Sequence, residues 1–155
     1  MLDVLIAEPW RDFEVLDSGG GRKWERYGPY RFIRPEPQAI WRPAMADWPA
    51  DGEFIAASAA RDDEEAGRWK LSPDLPEAWP MARGALRFWA SCTPFRHLAF
   101  FPDQSVHWDW MARQIRAAEG PVEVLNLFGY TGLASLAASQ AGARVTHVDA
   151  SHKAI

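Results

Sequence analysis

The residues of this 155-residue chain that could do chemistry together are a short loop, Asn126-Leu127-Phe128-Gly129-Tyr130-Thr131-Gly132, and one acid, Asp149. The loop follows an apolar run, Val122 to Phe128, that reads as a buried parallel strand. It precedes Leu133 to Ala141, an alanine- and leucine-rich stretch that predicts a helix, with Gly142 as its C-cap. Arg144 to Val148 reads as a second strand, and Asp149 stands at its C-terminal end. Strand, glycine loop, helix, strand and acid make one βαβ unit. In such a sheet ligands bind beyond the C-terminal strand ends. Gly129 would let the backbone turn sharply and approach a ligand, and the helix start would present free N–H groups. Asp149 is placed to accept hydrogen bonds from two ribose hydroxyls. The pattern points to an adenosine-containing ligand. The plainer alternative is an ordinary helix-start turn.

The ligand class can be narrowed. A dinucleotide loop is G-x-G-x-x-G, but Thr131 stands two residues after Gly129. A phosphate-binding P-loop needs G-K-[ST], which Gly19-Gly20-Gly21-Arg22-Lys23-Trp24 lacks. S-adenosyl-L-methionine (SAM) carries ribose and adenine but no phosphate, and needs the acid and the tight turn with less glycine.

Val124 to Ile155 resembles the first cofactor motif of class I SAM-dependent methyltransferases. The N-x-F-x-Y-T-G loop and the V-D-x-S-x-K-A segment are most similar to the branch that includes bacterial large-subunit ribosomal RNA base methyltransferases. Ser18 to Trp41 and Phe95 to Trp110 resemble that branch too. The resemblance implies that Asn126, Phe128, Gly129, Tyr130, Thr131 and Gly132 line the methionine and ribose side of SAM. It implies that Asp149 holds the ribose and that Ala150 and Ser151 approach the adenine. Phe101-Pro102-Asp103-Gln104 is similar to a family motif, F/Y-x-D-Q-R, and implies a cofactor contact by Gln104; Ser105 stands at the arginine position. It further implies methyl transfer to an RNA base, ribosomal RNA foremost. The substrate-recognising and catalytic residues of the family lie after later strands, so no catalytic residue is named. Other readings are a small-molecule or protein methyltransferase, or a catalytically dead module with a binding role.

The elements that must position this site divide near residue 100. Eleven of the 12 prolines lie at or before Pro102. Residues 1–98 read as a small, strand-rich α+β module. Residues 99–155 read as the start of a Rossmann-like α/β methyltransferase domain, incomplete and apparently truncated. Ser151 to Ile155 looks like the first turn of another helix. Such a fragment is expected to be inactive alone and either to self-associate through an unpaired strand edge or to pack that strand against its own N-terminal part. In the first part, Asp12 to Leu16, Phe54 to Ala59 and Leu86 to Ala90 are strand candidates, and Ser18 to Gly21 is a turn. Lys23 to Tyr27 and Tyr30 to Arg34 flank Gly28-Pro29 as a hairpin, stopped by Pro35 and Pro37. Asp62 to Glu65 reads as an exposed acidic turn. In the second part, Asp103 is the expected N-cap of a helix with Trp108, Met111 and Ile115 on one face. Gly120-Pro121 is its expected end.

Composition excludes several classes. The chain is 48% hydrophobic and 25% charged, which suits a globular protein and neither a disordered nor a membrane-spanning one. One cysteine, Cys92, rules out an internal disulfide and a cysteine-cluster zinc site, and fits the reducing cytoplasm. No metal site is expected. Cys92 has no activating neighbour, and His97 and His107 read as structural. A net charge of −4 argues against a wholly basic nucleic-acid clamp. Arg22 to Arg42, however, holds six basic and two acidic residues, interleaved with Trp24, Tyr27, Tyr30 and Trp41. Arg22, Lys23, Arg26, Arg31 and Arg34 are candidate RNA contacts. The alternative is a solvated hairpin with its aromatics turned inward. Nine tryptophans read as packing for a small aromatic layer or, less simply, as a base-stacking platform.

Overall fold

The computed structural model describes residues 4–57 and 67–151. Two compact units make up the chain: Trp10–Ala99, and Met1–Pro9 with Phe100–Ile155.

The first unit is built on a five-stranded sheet in sequence order: β1 (Phe13–Gly19), β2 (Arg22–Tyr27), β3 (Tyr30–Pro35), β4 (Gly52–Ala56) and β5 (Gly67–Leu71). β1, β2 and β3 form an antiparallel meander, β3 and β4 pair in parallel, and β4 and β5 are antiparallel. A separate hairpin joins β6 (Trp79–Arg83) to β7 (Leu86–Ala90). The hairpin expected across Gly28-Pro29 forms, with Tyr27 opposite Tyr30. β1 runs further than expected and takes in Ser18 and Gly19, which leaves Gly20 and Gly21 as the turn. Phe54 to Ala59 was placed too late, since β4 opens at Gly52; its last two residues, and the acidic run Asp62 to Glu65, lie outside the described residues. β5 and β6 were not foreseen. β5 offers one large side chain, Trp69, among charged neighbours, and β6 carries a proline tolerated in a two-stranded hairpin.

Aromatic packing makes the core of this unit. Tyr27 and Phe32 are fully buried and meet edge to face at 5.8 Å; Phe32 stacks on Trp79 at 5.3 Å. The indoles also act as ties. Trp10, Trp24 and Trp69 donate to the carbonyls of Ala82, Pro49 and Thr93, and Trp48 donates to Asp17 Oδ2. A small unit gains apolar area and loop-fixing hydrogen bonds from one residue type.

Arg34 is buried, which corrects its assignment as an RNA contact. Its Nε and Nη2 donate to the two oxygens of Glu25 at 2.7 and 3.0 Å; Nη2 also donates to the Tyr27 hydroxyl and Nη1 to the Arg96 carbonyl. The hairpin's aromatics Trp24 and Tyr27 are buried with it.

The second unit begins with a 3-10 turn, Pro102–Gln104, that runs into α1 (Ser105–Ala117). Asp103 lies inside that turn and does not cap the helix, whose N-cap is Gln104, without a side-chain bond. The helix ends at Ala117, before Gly120-Pro121, because Ala118 is already extended. β8 (Glu123–Asn126), α2 (Leu133–Gln140) and β9 (Arg144–His147) form the expected parallel βαβ unit, with Val124 opposite Val145. β8 is shorter than expected and is not buried on both faces. Ile115, Ala138 and Ala143 form a core against which Val124 and Val145 pack, while Leu125, Leu127 and Val148 on the other face are exposed. Among the described residues no helix is long and apolar enough to cross a membrane.

The buried pair gives a first prediction. Glu25→Ala leaves the Arg34 guanidinium buried without its counter-charge and should cost about 3–5 kcal/mol. Glu25→Leu with Arg34→Met should recover most of that loss. Urea unfolding of the three proteins measures it, and an unchanged midpoint for Glu25→Ala would refute the pair's structural role.

Candidate cofactor site

β8 and β9 end side by side, so the loop after β8 and the acid after β9 meet. The Asp149 carboxylate holds the loop: Oδ2 accepts the Tyr130 N–H at 2.7 Å and Oδ1 accepts the Ser151 N–H at 2.8 Å. The Ser151 amide foremost, then that of Tyr130, keeps the Asp149 carboxyl below the usual carboxylate range. The Ala150 amide also bears on the carboxylate; of its roughly four acceptor positions, capacity for a hydroxyl remains.

The reason for glycine at position 129 differs from the one expected. Its φ is not in the left-handed region; Tyr130 (46°) and Gly132 (92°) carry the positive angles that turn the loop into α2. Gly129 lies against the His147 imidazole, and a Cβ there would overlap the ring. The glycine answers to the neighbouring strand, a role that loop spacing alone does not reveal.

A cavity of about 390 Å³ opens between α1 and this loop. Asn126, Phe128, Gly129, Tyr130, Thr131 and Gln104 line it, so six of the ten expected site residues come together. Gly132, Asp149, Ala150 and Ser151 are not in its wall; Asp149 reaches it through the Tyr130 amide. Gln104 donates to Asp103 Oδ2 at 2.9 Å, and Phe101 packs on Tyr130 with ring centres 5.2 Å apart. His107, Trp110 and Met111 of α1 also line the cavity, although sequence reading gave His107 only a structural role and kept no site role for the other two. Helical spacing from Gln104 to His107 and Met111 was the available signal. No lysine or arginine lines the cavity among the described residues, so it offers no cationic anchor for phosphate. Its aromatic faces, with Phe128 89% and Trp110 48% exposed, suit a cation instead.

Elsewhere, burial pushes the Cys92 thiol up to about 12 despite the field of Arg34, which leaves it protonated and a poor nucleophile at neutral pH. Among the described residues no group of three His, Cys, Asp or Glu side chains could hold a metal ion.

A parallel βαβ unit, a cavity at its glycine loop and an acid after the next strand form a Rossmann-like arrangement. No protein-family model and no curated protein matches the chain. Among solved structures, the SAM-dependent methyltransferase from Agrobacterium tumefaciens is 48% identical, with a TM-score of 0.83 over 92% of this chain and 45% of its own. A Streptococcus mutans protein described as a SAM-dependent methyltransferase shares the fold at a TM-score of 0.64 and 16% identity, over 92% of this chain and 40% of its own. The likeness to SAM-dependent methyltransferases thus extends over nearly the whole chain, in fold and in sequence. It does not single out a ribosomal RNA branch. The chain spans less than half the length of either protein.

Two predictions follow from the loop. Gly129→Ala should destabilise by about 1–3 kcal/mol through overpacking, and should cost little in a His147→Ala background; denaturant melts of the double-mutant cycle measure the coupling. Asp149 has a folded-state pKa below its unfolded value, so its contribution is complete above the unfolded value of 3.8. It is lost as pH falls through the lower, folded value. The Tyr130 and Ser151 amide resonances should therefore move as the carboxyl is protonated, below the usual carboxylate range. Resonances that hold steady even in strong acid would contradict the assignment.

Proposed function

We propose that this chain belongs to a SAM-dependent methyltransferase, with S-adenosyl-L-methionine as cofactor and an RNA base as methyl acceptor. The observation that carries the cofactor reading is the cavity's chemistry: aromatic walls and no phosphate-binding cation, beside an Asp149 with free acceptor capacity. SAM is a sulfonium cation with a ribose and no phosphate, so it fits both features. Bound there, it supplies an electrophilic methyl group. The chain's own residues bind and orient. Asp149 would take the ribose hydroxyls, Phe101, Phe128 and Tyr130 would face the cation, and the first-turn amides of α2 would meet the methionine carboxylate. Transfer depends on alignment more than on a charged catalyst.

RNA as acceptor rests on the motif resemblance and on exposed basic side chains of β2 and β3. Arg31 is exposed, while Arg22 pairs with Glu53, Arg26 with Glu14 and Lys23 with Glu36. The Arg22–Glu53 pair is a surface contact of small worth that a phosphate could displace, whereas Lys23 and Arg26 are half-buried and hold further partners. Arg34 has no part in the proposal.

Asp149→Ala should weaken S-adenosylhomocysteine binding by about tenfold to a hundredfold, the range for hydrogen bonds to a charged group. NAD should not compete, because Thr131 stands where the pyrophosphate needs glycine. Calorimetry with both ligands decides the point. Binding unaffected by Asp149→Ala, or NAD displacing S-adenosylhomocysteine at micromolar concentration, would overturn the reading.

A further inference from the structure

A polar chain runs beneath the loop. The Phe128 N–H donates to Asn126 Oδ1 at 3.2 Å, and Asn126 Nδ2 donates to Ser135 Oγ at 2.9 Å. Ser135 Oγ and His147 Nδ1 share a hydrogen bond of 2.9 Å. The His147 ring in turn lies against Gly129, whose N–H donates to the Val148 carbonyl at 2.9 Å. The chain therefore ties three elements, β8, α2 and β9, to Phe128 and Gly129, two of the loop residues that line the cavity. None of Asn126 Nδ2, Ser135 Oγ and His147 Nδ1 is needed to form the strands or the helix, whose own bonds are made by backbone.

We propose that Ser135 and His147 are positioning residues that set the height and angle of the Phe128-Gly129 backbone at the cofactor site. The assignment rests on the cofactor reading above. Ser135 Oγ accepts from Asn126 Nδ2 and shares a further hydrogen bond with His147 Nδ1, since a hydroxyl can take part in both at once. The imidazole is thereby held in one orientation against Gly129, and a rotated ring would press on the backbone. Removing the serine hydroxyl frees both Asn126 and His147 to turn, and the loop loses its reference to α2. A site held loosely by its supporting side chains loses affinity without losing its fold.

Nuclear magnetic resonance on the chain, titrated with S-adenosylhomocysteine, tests this. Ser135→Ala should reduce exchange protection of the Gly129 amide by about tenfold and weaken binding by about threefold to tenfold, the scale of one hydrogen bond. Its melting temperature should stay near that of the unaltered chain, and Ser135→Thr, which keeps the hydroxyl, should restore both protection and affinity. Ser135→Ala with unchanged Gly129 protection would overturn the positioning role. If protection falls as expected but S-adenosylhomocysteine moves no loop resonance even in the unaltered chain, the positioning role stands and the cofactor reading fails.

Discussion

The parallel pairing of β8 with β9 is the interaction on which the site depends. It puts Asn126 opposite His147 and brings the two strand ends together. From that register the rest follows. His147 sits where a side chain at position 129 would stand, so the loop must carry glycine there. Asp149, just beyond β9, can then reach the Tyr130 amide at 2.7 Å. A shift of one residue would turn His147 to the opposite face and leave both contacts unmade.

The first unit solves a different problem with the same economy of residues. It has many short strands and little area for a core. Large aromatics fill it, and their indole N–H groups fix the connecting segments, as Trp24 does at Pro49 and Trp48 at Asp17. The buried Glu25–Arg34 pair adds directional bonds at a point where two strands lie side by side. Its charges are absorbed by each other, by the Tyr27 hydroxyl and by a backbone carbonyl.

Much of the second unit was legible because its signals are local. The apolar run from Val122, the alanine-rich helix and the acid at 149 each follow from a few neighbouring residues, and the βαβ order follows from them. The hairpin at Gly28-Pro29 was legible for the same reason. What escaped depends on partners far apart in sequence. Arg34 is an exception: Glu25 and Tyr27 lie nine and seven residues before it in the same hairpin, and only its third partner, the Arg96 carbonyl, is remote. Gly129 looked like a ligand-approach glycine because His147 lies a helix and a strand away. The α1 wall of the cavity was half visible: Gln104 was carried by motif resemblance, whereas Trp110 and Met111 show their role only once the helix is laid beside the loop. β6 was hidden by Pro80, a residue that argues against a strand unless the strand is at an edge.

The central claim is that the cavity between α1 and the 126–132 loop receives the sulfonium of S-adenosyl-L-methionine while Asp149 receives its ribose. A crystal structure of this chain with S-adenosyl-L-methionine bound tests that most directly. The account predicts ribose hydroxyls within hydrogen-bond distance of the Asp149 carboxylate and the sulfonium against the Phe101 and Tyr130 rings. A ligand seated elsewhere, or in the cavity with its ribose turned away from Asp149, would contradict it.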